Sequence, residues 1–206
     1  MTAIIDAIYS LDLSVFDALD RLHTPALNAF MRAVTHAGDG GLIWIVLAAA
    51  LLIFRRTRGC GAALAFSLVF CLLLNNLVLK TLVDRARPFI RFAIEPLIDP
   101  PGGASFPSGH TASSFACAFA LAFTLRRSQP FGAGAGMRTA LLVSAGAFLL
   151  AGIIALSRVW LHVHYLTDVL AGAASGAVCA ALGTVLAMAM VRRFTCRGKT
   201  PPEKGL

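Results

Sequence analysis

The chain has 206 residues, 58% of them hydrophobic and 14% charged, with a net charge of +8 and a mean hydropathy of +0.78. A soluble domain carries about 25% charged residues, and several apolar runs here approach the roughly 20 residues that cross a bilayer, so a water-soluble globular protein is excluded. A nucleic-acid binder would gather its basic residues on one face of a soluble fold; here the cations flank apolar runs, and no nucleic-acid partner is expected.

Residues 1–40 read as N-terminal amphipathic or interfacial helices. In IIDAIYSLDLSVFDALDRL, Ile4, Ile5, Ile8, Leu11, Val15, Phe16 and Leu19 recur at helical spacing, with Asp6, Asp12, Asp17 and Asp20 between them. That is the pattern of a helix lying in a membrane interface, and its acidity suits the outer face. No basic segment precedes an unbroken apolar stretch, so a cleavable signal peptide is not expected. Ala26 to Ala37 is too short and too polar to span alone; it reads as an interfacial or re-entrant helix, or as half of a sixth span.

Five apolar runs follow within residues 41–193: Leu42 to Phe54 (extended by the Gly-rich step Gly38 to Gly41), Gly61 to Leu79, Thr111 to Leu125, Ala140 to Leu156, and Leu166 to Val191. The fold class expected is an all-α integral membrane protein, a bundle of five to six transmembrane helices with an N-terminal amphipathic helix. Residues 194–206 read as a polar cytoplasmic tail. Cytoplasmic loops are enriched in Lys and Arg. With five spans, one side holds eleven of the eighteen basic residues and one acid, and the other holds seven bases and nine acids, +10 against −2. The C-terminus is therefore expected in the cytoplasm and the N-terminus outside. Cys60, Cys71, Cys117, Cys179 and Cys196 sit in or beside spans, where small packing residues are expected rather than a disulfide framework.

Three polar clusters interrupt the apolar pattern, all on the outer side. In KTLVDRARP, a continuous helix would place Lys80, Asp84 and Arg87 on one face, as a salt-bridge ladder or an anion grip, and Pro88 would end it. In SFPSGHTASSFA, Ser108 precedes a helix whose free N–H groups suit either a plain cap or a phosphate, and His110 has no capping reason to be there. In SRVWLHVHYLTD, a strand would put His162 and His164 on one face, as a zinc site requires. A helix would split them and stack His164 on Asp168. The apolar continuation favours the helix. A zinc site would lack a third ligand beyond His110 or Asp168, and metal binding is not expected. Together the clusters supply cations, helix N–H donors, a nucleophile and an acid, the inventory of phosphoryl transfer. A transporter would instead spread polar groups through its spans.

These segments resemble the type 2 phosphatidic acid phosphatase superfamily, whose three motifs, Lys-x6-Arg-Pro, Pro-Ser-Gly-His and Ser-Arg-x5-His-x3-Asp, are present in order over roughly residues 75 to 175. The resemblance implies that residues 41–193 form a transmembrane phosphatase domain with its site at the outer leaflet. It implies His164 as the nucleophile that becomes a phosphohistidine, Asp168 as its orienting partner and His110 as the acid for the leaving group. Lys80, Arg87, Ser108, Gly109 and Arg158 would bind the phosphate, with no cofactor and no metal. The implied substrate is a lipid phosphate drawn from the bilayer of a bacterial cytoplasmic membrane, undecaprenyl diphosphate first. Phosphatidic acid, diacylglycerol diphosphate, phosphatidylglycerol phosphate or a phosphotransferase reaction are the alternatives. His162 stands where the family often carries Gly, and Leu166 where Pro is frequent; a peripheral role is expected for His162. Gly172 and Gly176 read as a helix-packing face, Asn75 and Asn76 as interhelical hydrogen-bonding groups, and Arg85 and Arg91 as solvated or headgroup-facing charges, with the alternative that one of them contacts a second phosphate.

Overall fold

The computed structural model describes residues 2–128 and 135–197, which are helical with no strand among them. Helix α1 (Thr2–Asp20) is joined by a short turn to α2 (Pro25–Ala37). Thr24 caps α2 by accepting from the Leu27 N–H, and Pro25 sits at the first helical position, where a missing N–H costs nothing. A single 3-10 turn, Asp39–Gly41, leads into α3 (Leu42–Ile53). Its left-handed Gly40 and Gly41, at φ 59° and 74°, are conformations that side chains resist.

Helix α4 (Arg58–Cys71) runs through a π-helical stretch, Leu72–Leu79, into one last turn, α5 (Lys80–Val83). A short α6 (Pro88–Arg91) follows, and then α7 (Gly109–Ser128), α8 (Ala135–Trp160) and α9 (Leu166–Arg197). Among the described residues, three helical segments are long and apolar enough to cross a membrane: Arg58–Arg91, which includes the break after Val83, Gly136–Trp160 and Leu166–Arg193. The pair Pro25–Ala37 and Asp39–Ile53, bent by 43°, makes a fourth if it is one broken span; this is the outcome in which Ala26 to Ala37 is half of a span. The run expected as the third span forms α7, which lies inside the set and packs against α4, α8 and α9. Surrounded by protein rather than lipid, it carries Thr111, Ser114 and Thr124 at buried positions.

The outer surface of the bundle is apolar, with Leu142, Leu149, Leu170 and Val185 exposed, as a hydrocarbon environment requires. Glycines bring the inner helices together: a Cβ on Gly172 would stand 2.7 Å from the Ser108 carbonyl, and one on Gly176 2.5 Å from that of Ala112. The small-residue face of α9 therefore seats α7. Asn75 accepts from Ser175 at 2.8 Å across the π-helical stretch, an interhelical bond as expected, and Cys60, Cys71, Cys117 and Cys179 are buried.

Three expectations change. The helix bearing Lys80 stops at Val83, because Asp84 turns left-handed at φ 40°, so Lys80, Asp84 and Arg87 form no common face and no ladder. Pro88 starts a helix instead of ending one. The apolar stripe of α1 also divides. Leu13, Phe16 and Leu19 pack against Val159, Tyr165 and Val169 or beside them, while Ile4, Ile8 and Leu11 stay exposed. Asp12, expected on the polar face, is fully buried. Of the expected tail, residues 198–206 lie outside the described residues.

Candidate active site

The part of the third motif that carries the two histidines is neither strand nor helix. Helix α8 ends at Trp160, α9 begins at Leu166, and residues 161–165 turn between them, with His162 left-handed at φ 57°. This turn sends the two histidines to different places. His164 points into the site, and Asp168, in the first turn of α9, reaches back to it with Oδ2 3.5 Å from Nδ1. The same oxygen accepts from the Tyr165 N–H at 3.1 Å, so Asp168 satisfies a free donor at the helix start while holding the imidazole. Ser105 donates to it as well.

The other ring nitrogen defines the tautomer. Arg87 Nη1 lies 3.3 Å from His164 Nε2, and a guanidinium can only donate. Nε2 therefore offers a lone pair, and Nδ1 carries the hydrogen that faces Asp168. Burial pushes His164 down to about 3 against the upward pull of Asp168, and the charges of Arg158 and Arg87 press the same way. The imidazole is neutral at physiological pH, as a nucleophile must be.

Arg87 is fixed by carbonyls: it donates to Gly103 and Val163 at 2.9 Å and to Gly102 at 3.0 Å. Arg158, buried at the end of α8, donates to Thr35 of α2. Among the described residues no ion pair joins Arg87, Arg158 or Lys80 to a carboxylate, whereas the acids around them are already matched. Three cations gathered without counter-charge make a site for a multiply charged anion.

Ser108 behaves as the helix cap of α7. Its Oγ accepts from Thr111 Oγ1 at 3.0 Å and, at 3.5 Å, from the Thr111 N–H. Gly109 opens that helix and His110 follows. Nε2 of His110 lies 2.8 Å from Asp39 Oδ1, and the second oxygen of Asp39 meets His36. Gly38 leaves room for this pair, since a Cβ there would stand 3.0 Å from His110 Cδ2. The Gly-rich step before α3, read from sequence as an extension of a span, is thus what carries a carboxylate to His110.

The structure brings Arg87, Arg158, His164 and Asp168 together around one turn, and sets Lys80, Gly109 and His110 along the head of a neighbouring groove. This groove is a cavity of about 610 Å³ with Ile45, Leu52, Leu68, Val69 and Leu72 on its walls and Lys80 and His110 at its polar end. The π-helical stretch Leu72–Leu79 lines it, and such bulges concentrate at functional sites.

Arg85 does not face the phosphate site. It donates to Asp168 at 2.7 Å, to Asp12 at 2.8 Å and to Thr167 at 2.7 Å, and its guanidinium lies 3.7 Å above the Tyr165 ring. Arg91 is stacked on Tyr9. A second-phosphate contact from either is therefore withdrawn; Arg85 holds Asp168. Sequence reasoning missed Asp12, Asp39 and Ser105. A signal existed for Asp12, which falls between Ile8 and Phe16 at i, i+4 spacing inside the apolar stripe. His162 is turned away from His164, and no HxH metal site forms.

Comparisons with known proteins agree with this geometry. The sequence profile of the PAP2 superfamily matches residues 61–193. A phosphatidylglycerophosphatase B of Bacillus subtilis is 32% identical over 176 residues, 83% of this chain and 80% of that protein. An undecaprenyl-diphosphatase of Sulfolobus acidocaldarius is 31% identical over 167 residues, 78% of this chain and 71% of that protein. The crystal structure of a transmembrane PAP2-type phosphatidylglycerolphosphate phosphatase from Bacillus subtilis superposes with a TM-score of 0.72 at 29% identity, covering 87% of this chain and 86% of that one. The chain belongs to the PAP2 superfamily of membrane lipid phosphatases, hydrolases of phosphoric ester and anhydride bonds.

Proposed function

We propose that this protein hydrolyses a lipid diphosphate, undecaprenyl diphosphate first, through a phosphohistidine on His164 at the extracytoplasmic face of a bacterial cytoplasmic membrane. The observation that carries this reading is the set of three unpaired cations and a neutral, oriented imidazole beside an apolar groove. The phosphate oxygens take Lys80, Arg87 and Arg158 together with Ser108 and the Gly109 N–H at the start of α7. His164 Nε2 attacks the terminal phosphorus, and the N–P bond forms as the P–O anhydride bond breaks and lipid monophosphate departs. His110, supported by Asp39, gives the departing oxygen its proton. In the second step His110 takes a proton from water, water attacks phosphorus, and inorganic phosphate leaves as Nε2 regains its lone pair.

Undecaprenyl diphosphate is put first because the groove is lined by apolar side chains with Lys80 and His110 beside them, and because the Sulfolobus relative carries that activity in its name. Phosphatidylglycerol phosphate is the second reading, supported by the name of the Bacillus relative. The test is phosphate release in detergent, with chelator present, across these two lipids, phosphatidic acid and diacylglycerol diphosphate, compared by kcat/KM. Undecaprenyl diphosphate should rank first and His164→Ala should abolish release. Preference for phosphatidylglycerol phosphate would overturn the substrate, and loss of activity on chelation that zinc restores would overturn the metal-free chemistry.

A further inference from the structure

His162 is released from the phosphate site, yet it is not a bystander. The residue is 5% exposed, and its backbone holds φ 57°, a conformation that strains a non-glycine residue and persists where surrounding structure imposes it. That turn drives the imidazole between Phe16, with ring centroids 5.1 Å apart, and His23, at 5.7 Å. Asp20, the last residue of α1, completes the group. Its Oδ1 lies 2.9 Å from His162 Nε2 and 3.6 Å from His23 Nδ1. One ligand atom from each of the three falls within 4.8 Å of the others.

Hydrogen bonding accounts for this cluster only in part, through a bond from His23 to the Trp160 backbone. His162 Nε2 is close to Asp20 but out of line for a hydrogen bond. Neither ring nitrogen of His162 has a partner, and His23 Nε2 is also buried without one. A buried polar atom left unsatisfied is destabilising. A cation held by His162 Nε2, His23 Nδ1 and the Asp20 carboxylate would meet the orphaned lone pair of His162 Nε2 directly. Ligands about 2.0–2.1 Å from a tetrahedral zinc stand about 3.3 Å apart, a separation bracketed by the two Asp20 distances.

We infer that Asp20, His23 and His162 bind one divalent first-row cation of zinc's class, two imidazoles and one carboxylate with the remaining position open to water. The ligand types select this class over calcium or magnesium, which take oxygen. Asp20, half exposed, provides the way in. The bound cation would tie the α1–α2 junction to the turn that carries His164, two residues from His162. It lies outside the phosphate site and takes no part in the hydrolysis, so the inference does not depend on the substrate proposed above.

The test uses the full-length, tag-free protein in detergent, stripped with chelator and titrated with Co²⁺ and Zn²⁺. The expected result is one cobalt per chain with the strong visible absorption of a low-coordinate site, and thermal unfolding shifted upward by zinc. Asp20→Asn and His23→Ala should each weaken cobalt binding at least tenfold; both lie towards the rim and keep the test open if His162→Gln fails to fold. Equal affinity in wild type and both rim variants overturns the inference. A cobalt spectrum displaced by orthovanadate also overturns it, because the metal would then sit in the phosphate site.

Discussion

Arg85→Met separates a positioning residue from a phosphate-binding one. Arg85 is 11% exposed, and the two carboxylates it joins, on Asp12 and Asp168, are fully buried. Removing one partner from a buried ion pair costs about 3–5 kcal/mol, because the other charge is left uncompensated. Two carboxylates are stranded here, but each keeps help. Asp12 still accepts from the Thr167 N–H and hydroxyl, and Asp168 from Ser105 and Tyr165. The lower end of the range, about 3 kcal/mol, is therefore expected, with about 1 kcal/mol more from the cation–π contact to Tyr165. Equilibrium unfolding in mixed micelles measures the loss. The double variant Asp12→Asn/Arg85→Met should lose less than the sum of its parts, with a coupling of about 0.5–3 kcal/mol, since neutralising Asp12 removes one of the stranded charges. Activity should fall in kcat with KM little changed, because Asp168 loses its anchor while the phosphate grip is intact. Arg85→Met within about 0.5 kcal/mol of wild type, or raising KM for diphosphate substrates alone, would refute this account.

Two further predictions concern the histidines. The folded value for His164, about 3, lies below the ordinary 6.5, so between those pH values the unfolded chain binds the proton and the folded chain does not. The contribution of His164 to stability is therefore intact above about pH 6.5 and declines as pH falls toward 3, by up to about 1.4 kcal/mol per pH unit. His164→Asn should flatten the stability profile over that window, and identical slopes in variant and wild type would contradict the burial argument. Asp39→Asn removes the carboxylate from His110 and should slow hydrolysis of a lipid phosphomonoester such as phosphatidic acid, whose alkoxide leaving group needs a proton, within the about 10²–10⁴-fold that an acid of this kind contributes. A phosphomonoester with an acidic phenol as leaving group should lose far less, because its oxygen departs without a proton; equal losses on both substrates would remove His110 as the acid.

The sequence by itself determined the class of environment and the helices, and it supplied the list of groups proposed to meet phosphate. Composition settles the first, since 14% charged residues cannot cover a soluble surface of this size. Periodicity and apolar run length settle the helices. The small-residue spacing of Gly172 and Gly176 foretold the close seating of α9 on α7, because a glycine face has one physical use inside a bundle. The pairing of His164 with Asp168 was also legible from separation alone, although the reason given, an unbroken helix through both, was wrong: a turn and the first turn of α9 bring them together.

Only the tertiary structure decided which charge serves which partner. Lys80, Asp84, Arg85 and Arg87 lie within eight positions, and spacing cannot say that Asp84 turns left-handed, that Arg85 is consumed by Asp12 and Asp168, or that Arg87 and Lys80 are left without acids. Asp12, Asp39 and Thr35 come from the N-terminal helices and the step that follows them, more than 70 residues from the groups they contact, and no local pattern encodes such a pairing. His162 is the clearest case. In sequence it is one of two histidines two residues apart, and only the left-handed turn at its own backbone, with Asp20 and His23 folded against it, separates it from His164 and gives it neighbours of its own.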